Sequence, residues 1–246
     1  LEPERIASVN DPAYQESLKL RRPDLILVVS FGQILRAPLL ALPPKGCVNI
    51  HASLLPRYRG ASPITQCILN RDAETGVCFM AMERGLDTGA VYETITVPLD
   101  HSEYARELEF KLGSIAAEAA PGILGSICSG ELVPVPQDSV EATVCTKIRK
   151  ADGLIRWTGS AHEIEAMVRA YCPWPGAFAS VRTPKGVESV TLIRVNCRRE
   201  LSGRPGQVLR ADKYGLVVAC GKGAIEILEL APPGRRSMSA VAYLNG

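Results

Sequence analysis

The chain has 246 residues, 46% of them hydrophobic and 22% charged, with a formal net charge of +2. That length accommodates one large or two ordinary domains with a full core, and the balance excludes a disordered or fibrous polymer. Eight cysteines (47, 67, 78, 128, 145, 172, 197, 220) never come closer than eleven residues apart, which excludes Cys-x-x-Cys redox pairs and zinc-finger spacing and predicts free thiols in a reducing cytoplasm.

In chain order, Asp11-Pro12 opens a short helix that Arg22-Pro23 ends. Asp24–Ser30 is an apolar run without alternation, as in a parallel-sheet strand covered on both faces. Phe31-Gly32 breaks it, and a crossover helix over Gln33–Leu42 leads to a second strand at Cys47–His51. Residues two apart on a strand share a face, so Asn49 and His51 present an amide and an imidazole together. A loop through Ser53, Pro56 and Gly60 follows. Ala61–Leu69 reads as a helix, and Thr75–Met82 and Ala90–Val97 read as β-branched strands. Gly85 and Gly89 flank Asp87 between them, the pattern of a tight loop with close backbone approach. Ser102–Ser129 reads as a long helix that Pro121 kinks or breaks. No apolar run is expected to span a membrane, and no membrane partner is expected.

Leu132-Val133-Pro134-Val135-Pro136 holds an extended path. Ser160-x-x-Glu163 is a capping box opening a helix with Ile164, Met167, Val168 and Tyr171 on one face. Five short strands follow, at Phe178–Arg182, Ser189–Val195, Gly206–Ala211, Gly215–Cys220 and Ala224–Leu230, which predict a small barrel or sandwich. Trp157 and Trp174 read as core anchors of this part. Charge divides unevenly: residues 1–136 carry 12 Lys/Arg against 16 Asp/Glu, and 137–246 carry 16 against 10. A polyanionic partner and a solvated basic face are both compatible with that excess.

Asn49-Ile50-His51-Ala52-Ser53-Leu54-Leu55-Pro56-Arg57-Tyr58-Arg59-Gly60 resembles the signature of folate-dependent formyltransferases, and Gly85-Leu86-Asp87-Thr88-Gly89 resembles that family's second element. Further matches run from Thr146 to Trp157, from Arg169 to Phe178, and through Met238-Ser239-Ala240 and Tyr243-Leu244-Asn245-Gly246. Departures include Phe31, Val144-Cys145, Arg156 and Cys172. The resemblance implies an α/β fold: a Rossmann-like catalytic domain with a mostly parallel sheet over 1–131, a linker over 132–140, and a C-terminal OB-like β-barrel over 141–246 that binds tRNA. It also implies that the sequence is a piece of a longer protein, since the family begins with a further strand and a basic loop.

By the same resemblance Asn49, His51 and Asp87 are the catalytic trio. Phe31, Gly32 and Ile34 with Ser53, Leu54, Leu55 and Pro56 line the slot for 10-formyltetrahydrofolate, and no metal is needed. Arg57, Arg59, Lys147, Arg149 and Lys150 are the candidates for holding an initiator methionyl-tRNA. The protein is expected to be a cytoplasmic monomer. An acceptor on an amino-sugar nucleotide and a non-catalytic RNA-binding role are the alternatives. Chemically, an oxyanion needs N–H donors, which Asn49 and His51 offer, and an amine must lose a proton, to either His51 or Asp87.

Overall fold

The side chain of Asp11 accepts a hydrogen bond from the Tyr14 amide (3.1 Å) and starts α1 (Pro12–Arg21), which ends at Arg22 in the left-handed region. In the computed structural model, residues 4–183 and 186–245 are described, so Gly246 of the last motif lies outside them. They form two compact units that interleave along the chain. The first comprises the residues up to Pro63 together with Glu74–Pro98 and Phe110–Thr146.

Within the first unit β1 (Ile26–Val29) pairs in parallel with β2 (Cys47–His51), in the register Val28 to Asn49. The helix between them, α2 (Ala37–Leu40), is shorter than the sequence predicts. Pro38 has no N–H to offer the carbonyl of Ile34 four residues back; that carbonyl accepts from Asn10 Nδ2 instead (2.8 Å), and the Arg36 amide donates to Asn10 Oδ1 (3.0 Å). The loop after β1 is therefore stitched to residues 7–10 rather than coiled. β1 is also not covered on both faces: Val28 is buried, while Val29 is 53% exposed.

The chain continues through β3 (Arg59–Gly60), α3 (Pro63–Leu69), β4 (Glu74–Ala81), β5 (Val91–Pro98) and α4 (Ala105–Ser129) to β6 (Val144–Cys145). The sheet is mixed, in the order β1-β2-β4-β5, with β4 antiparallel to both β2 and β5. Val48 and Phe79 from its centre pack with Ile127 of α4; full burial of such side chains stabilises by roughly 1.5–3 kcal/mol each. β6 lies parallel to β3, pairing Arg59 with Val144 and Gly60 with Cys145.

α4 runs through Pro121 without a break. Ala117 and Pro121 are both exposed, so water can take the bond that proline cannot make. The helix also corrects the expectation about apolar runs: at 25 residues it is long and apolar enough, by length and composition, to cross a membrane.

The second unit comprises Ile64–Ala73, Leu99–Glu109 and Lys147 onward. A 3₁₀ turn at Lys150–Gly153 precedes α5 (Ala161–Tyr171), which has the predicted capping box: Glu163 N donates to Ser160 Oγ (3.2 Å) and Ser160 N to Glu163 Oε2 (2.6 Å). β7 (Ala177–Thr183), β8 (Gly186–Arg198), β9 (Val208–Asp212), β10 (Gly215–Ala219), β11 (Ala224–Ala231) and β12 (Met238–Ser239) precede α6 (Ala240–Leu244). They form a curled antiparallel half-barrel in the order β7-β8-β11-β10-β9, with β12 on β11. Ile164 and Val168 of α5 pack on Leu192, Ile225 and Leu230. Trp157 packs against this core as predicted, but Trp174 is 57% exposed, because it sits at the tip of the turn from α5 into β7.

Candidate active site

Asn49 is the middle residue of β2 and His51 its last, two positions apart and therefore on the same face. Asn49 is half-buried, and its amide forms no hydrogen bond among the described residues. A primary amide in that state has two donors to give. His51 is 6% exposed, and its Nε2 stands 2.9 Å from the carbonyl oxygen of Tyr58. A carbonyl only accepts, so Nε2 carries a hydrogen. The other ring nitrogen, Nδ1, lies 3.7 Å from Asp87 Oδ2. With Nε2–H fixed, the neutral ring presents a lone pair at Nδ1 on the Asp87 side, and the protonated ring presents an N–H there.

Tyr58 is placed by the loop that follows β2. Ser53 is fully buried, and its Oγ donates to Arg57 O (2.6 Å), closing the turn through Leu54, Leu55 and Pro56. The Tyr58 amide donates to Thr143 Oγ1 (2.8 Å), and the Arg59 amide to Thr143 O (2.8 Å), so the segment before β6 fixes the carbonyl that holds His51. Cys145 shares this environment: its Sγ lies 3.5 Å from Tyr58 O and 3.4 Å from Arg59 O, and burial pushes its thiol pKa up, which keeps it a protonated, weak donor.

Asp87 reaches His51 on the Glu83–Gly89 loop. Its backbone is left-handed (φ 52°), a conformation that costs a non-glycine residue roughly 1 kcal/mol. Two glycines make the close approaches possible. A Cβ on Gly89 would stand 1.8 Å from Ala81 O, and one on Gly60 (φ 106°) would stand 2.3 Å from Cys145 O. The Gly60 amide donates to Asp87 Oδ2 (2.8 Å).

The remaining candidates are distributed differently. Phe31 and Ile34 are exposed on the loop leaving β1, and nothing lies within 4 Å of where a Gly32 Cβ would stand. That loop leaves β1 beside the end of β2, since Val29 pairs with Ile50. Arg57 is exposed and stacks 4.9 Å from the Tyr58 ring centroid. Arg59, proposed from sequence as a substrate contact, is 8% exposed and donates to Gln137 Oε1 through Nε (3.0 Å) and Nη2 (2.8 Å). Its guanidinium is inside the first unit rather than on its surface. Lys147 and Arg149 are exposed, whereas Lys150 Nζ donates to Pro175 O (2.7 Å) and lies 5.1 Å from the Phe178 ring centroid. Neither the Tyr58 carbonyl nor Gln137 was legible beforehand, because a backbone oxygen has no letter and Gln137 is 50 residues from Asp87.

Residues 3–124 match the formyl transferase family and residues 147–246 match the formyl transferase C-terminal domain. A methionyl-tRNA formyltransferase of Geobacter sulfurreducens is 39% identical over 238 residues, covering 97% of this chain and 74% of that protein. One of Myxococcus xanthus is 41% identical over 235 residues, covering 96% and 74%. Among solved structures, methionyl-tRNA formyltransferase from Clostridium thermocellum superposes with a TM-score of 0.61 at 22% identity, covering 74% of this chain and 76% of that one. HypX from Aquifex aeolicus in complex with tetrahydrofolic acid superposes at 0.70 and 20% identity, covering 94% of this chain and 40% of that one. At those identities the two structures speak to the fold, and the family rests on the sequence relatives: this chain belongs to the methionyl-tRNA formyltransferase family.

Proposed function

We propose that the chain transfers the formyl group of 10-formyltetrahydrofolate to the α-amine of the methionine on initiator methionyl-tRNA, for translation initiation, with Asn49, His51 and Asp87 as the groups at the reacting atoms. The observation that carries the site assignment is the pairing of an unpartnered Asn49 amide with a His51 ring whose Nε2–H is already committed to Tyr58. The amine nitrogen attacks the formyl carbon, and the carbonyl π pair moves onto oxygen to give a tetrahedral oxyanion. Asn49 donates an N–H to that oxygen; preorganised donors of this kind contribute about 3–4 kcal/mol. The ammonium formed by attack loses its proton to His51 Nδ1, where the Asp87 carboxylate stabilises the imidazolium. His51 N–H then supports the oxyanion from Nδ1 until the carbon–N10 bond breaks and the proton passes to N10 of tetrahydrofolate. The proton taken from the amine thus ends on the leaving group, and no net acid or base is consumed.

The exposed apolar Phe31 and Ile34, with Leu54, Leu55 and Pro56 on the neighbouring loop, suit a slot for the flat pterin. The second unit, with Lys147 and Arg149 exposed at its start, is the portion we assign to tRNA, in the cytoplasm. The burial of Leu112 and Ile127 supports a core role for α4 rather than a span. The test is incubation with 10-formyltetrahydrofolate and methionyl-tRNA, following folate absorbance and formylated product. Release of tetrahydrofolate with an amino-sugar nucleotide but not with methionyl-tRNA would reassign the acceptor.

A further inference from the structure

We propose that Gln137 is a positioning residue that holds the Asp87 loop against His51, and that buried Arg59 orients it. This rests on the formyl-transfer reading above. The antiparallel bridge between Val135 and Val91, with both amide bonds at 2.8 Å, brings the segment after the paired prolines alongside the end of the Asp87 loop. From there Gln137 Nε2 donates to Asp87 O (2.8 Å) and to Gly89 O (2.7 Å). Its Oε1 faces the two Arg59 donors at 3.0 and 2.8 Å. The amide has one orientation only. Flipped, its oxygen would face two carbonyl oxygens and its NH₂ would face a guanidinium.

The cation polarises the amide, so both bonds to the loop are strengthened by a charge that never reaches the reacting atoms. Arg59 and Gly60, consecutive on β3, therefore grip one residue from two sides: Arg59 through Gln137 on the backbone of Asp87, and Gly60 directly on its carboxylate (2.8 Å). That double grip sustains a left-handed, non-glycine backbone at the position where the carboxylate must face Nδ1.

Gln137→Glu keeps an acceptor for Arg59 but replaces both donors by an oxygen facing two carbonyls, and Gln137→Ala removes the whole amide. In the full chain both variants are expected to lower kcat about tenfold or more while KM for the formyl donor stays within about twofold, the pattern of a lost transition-state interaction. Gly60 amide exchange, protected by Asp87 Oδ2, should accelerate in both. In an Asp87→Asn background Gln137→Glu should take away less than about twofold more, because little remains to be positioned. Equal fractional losses in the two backgrounds, or unchanged Gly60 exchange, overturn the proposal. If the unsubstituted chain transfers no formyl group to any acceptor, the formyl-transfer reading falls, while Gly60 exchange still decides whether Gln137 holds Asp87.

Discussion

Replacing Asn49 by Ala removes a donor that has no structural partner to abandon, so activity and stability should separate cleanly at this position. Turnover is expected to fall by about two to three orders of magnitude with little change in unfolding midpoint. His51→Ala should lose turnover to the same degree, but it also strips the Tyr58 carbonyl of its N–H and opens a hole in a buried site, so its midpoint should drop as well. Single-turnover rates and thermal melts on the two variants check the contrast; equal destabilisation in both would refute the free state of the Asn49 amide. Asp87→Asn keeps the acceptor for Gly60 N–H and loses the charge facing Nδ1, so its defect should lie in kcat rather than in folding.

Short elements carry much of the site's precision. β3 is two residues long, yet Gly60 in it admits no side chain, so Gly60→Ala is expected to destabilise by roughly 1–3 kcal/mol and to displace β6; urea midpoints measure this. On α5, burial first, and then Arg199, Arg71 and Lys222, lower the pKa of His162 below its ordinary value of about 6.5. A depressed histidine keeps its folded-state advantage above that ordinary value and loses it as pH falls, because the unfolded chain binds the proton more readily. His162→Gln should therefore flatten the decline in melting temperature as pH falls below about 6.5.

The capping box of α5, the glycines about Asp87 and the half-barrel strands were readable because each is encoded within a few residues of itself. The shortened α2 was not, since it turns on Asn10 capturing a carbonyl 24 residues away. Nor were the buried state of Arg59 or the outward Trp174, which depend on where Gln137 and a turn tip fall in the finished fold.

At the scale of the whole chain, the basic excess lies in residues 137–246, and tRNA affinity should fall with salt by about 0.7–0.9 log units per log unit for each phosphate neutralised. Lys147→Ala with Arg149→Ala should reduce that slope by about one to two and leave formyl-folate binding alone. Adding Lys150→Ala should also lower the melting temperature, because its ammonium holds Pro175 O. Filter binding over a salt series, paired with melts, measures both; a slope near zero in the unsubstituted chain refutes the assignment of tRNA to this part.

The interleaving of the two units sets an order of assembly during synthesis. The second unit takes Ile64–Ala73 and Leu99–Glu109 from the first half of the chain. Arg71 awaits Glu165 (3.7 Å), the carbonyl of Glu103 awaits Arg169 (3.1 Å), and the hydroxyl of Tyr104 awaits the carbonyl of Ile193 (3.2 Å). At translation rates of about 5–20 residues per second those early segments stay unpaired for on the order of ten seconds after they leave the ribosome. A nascent chain stalled before residue 165 thus lacks Glu165, Arg169 and Ile193, and both early segments are left without the polar partners that hold them in the finished fold.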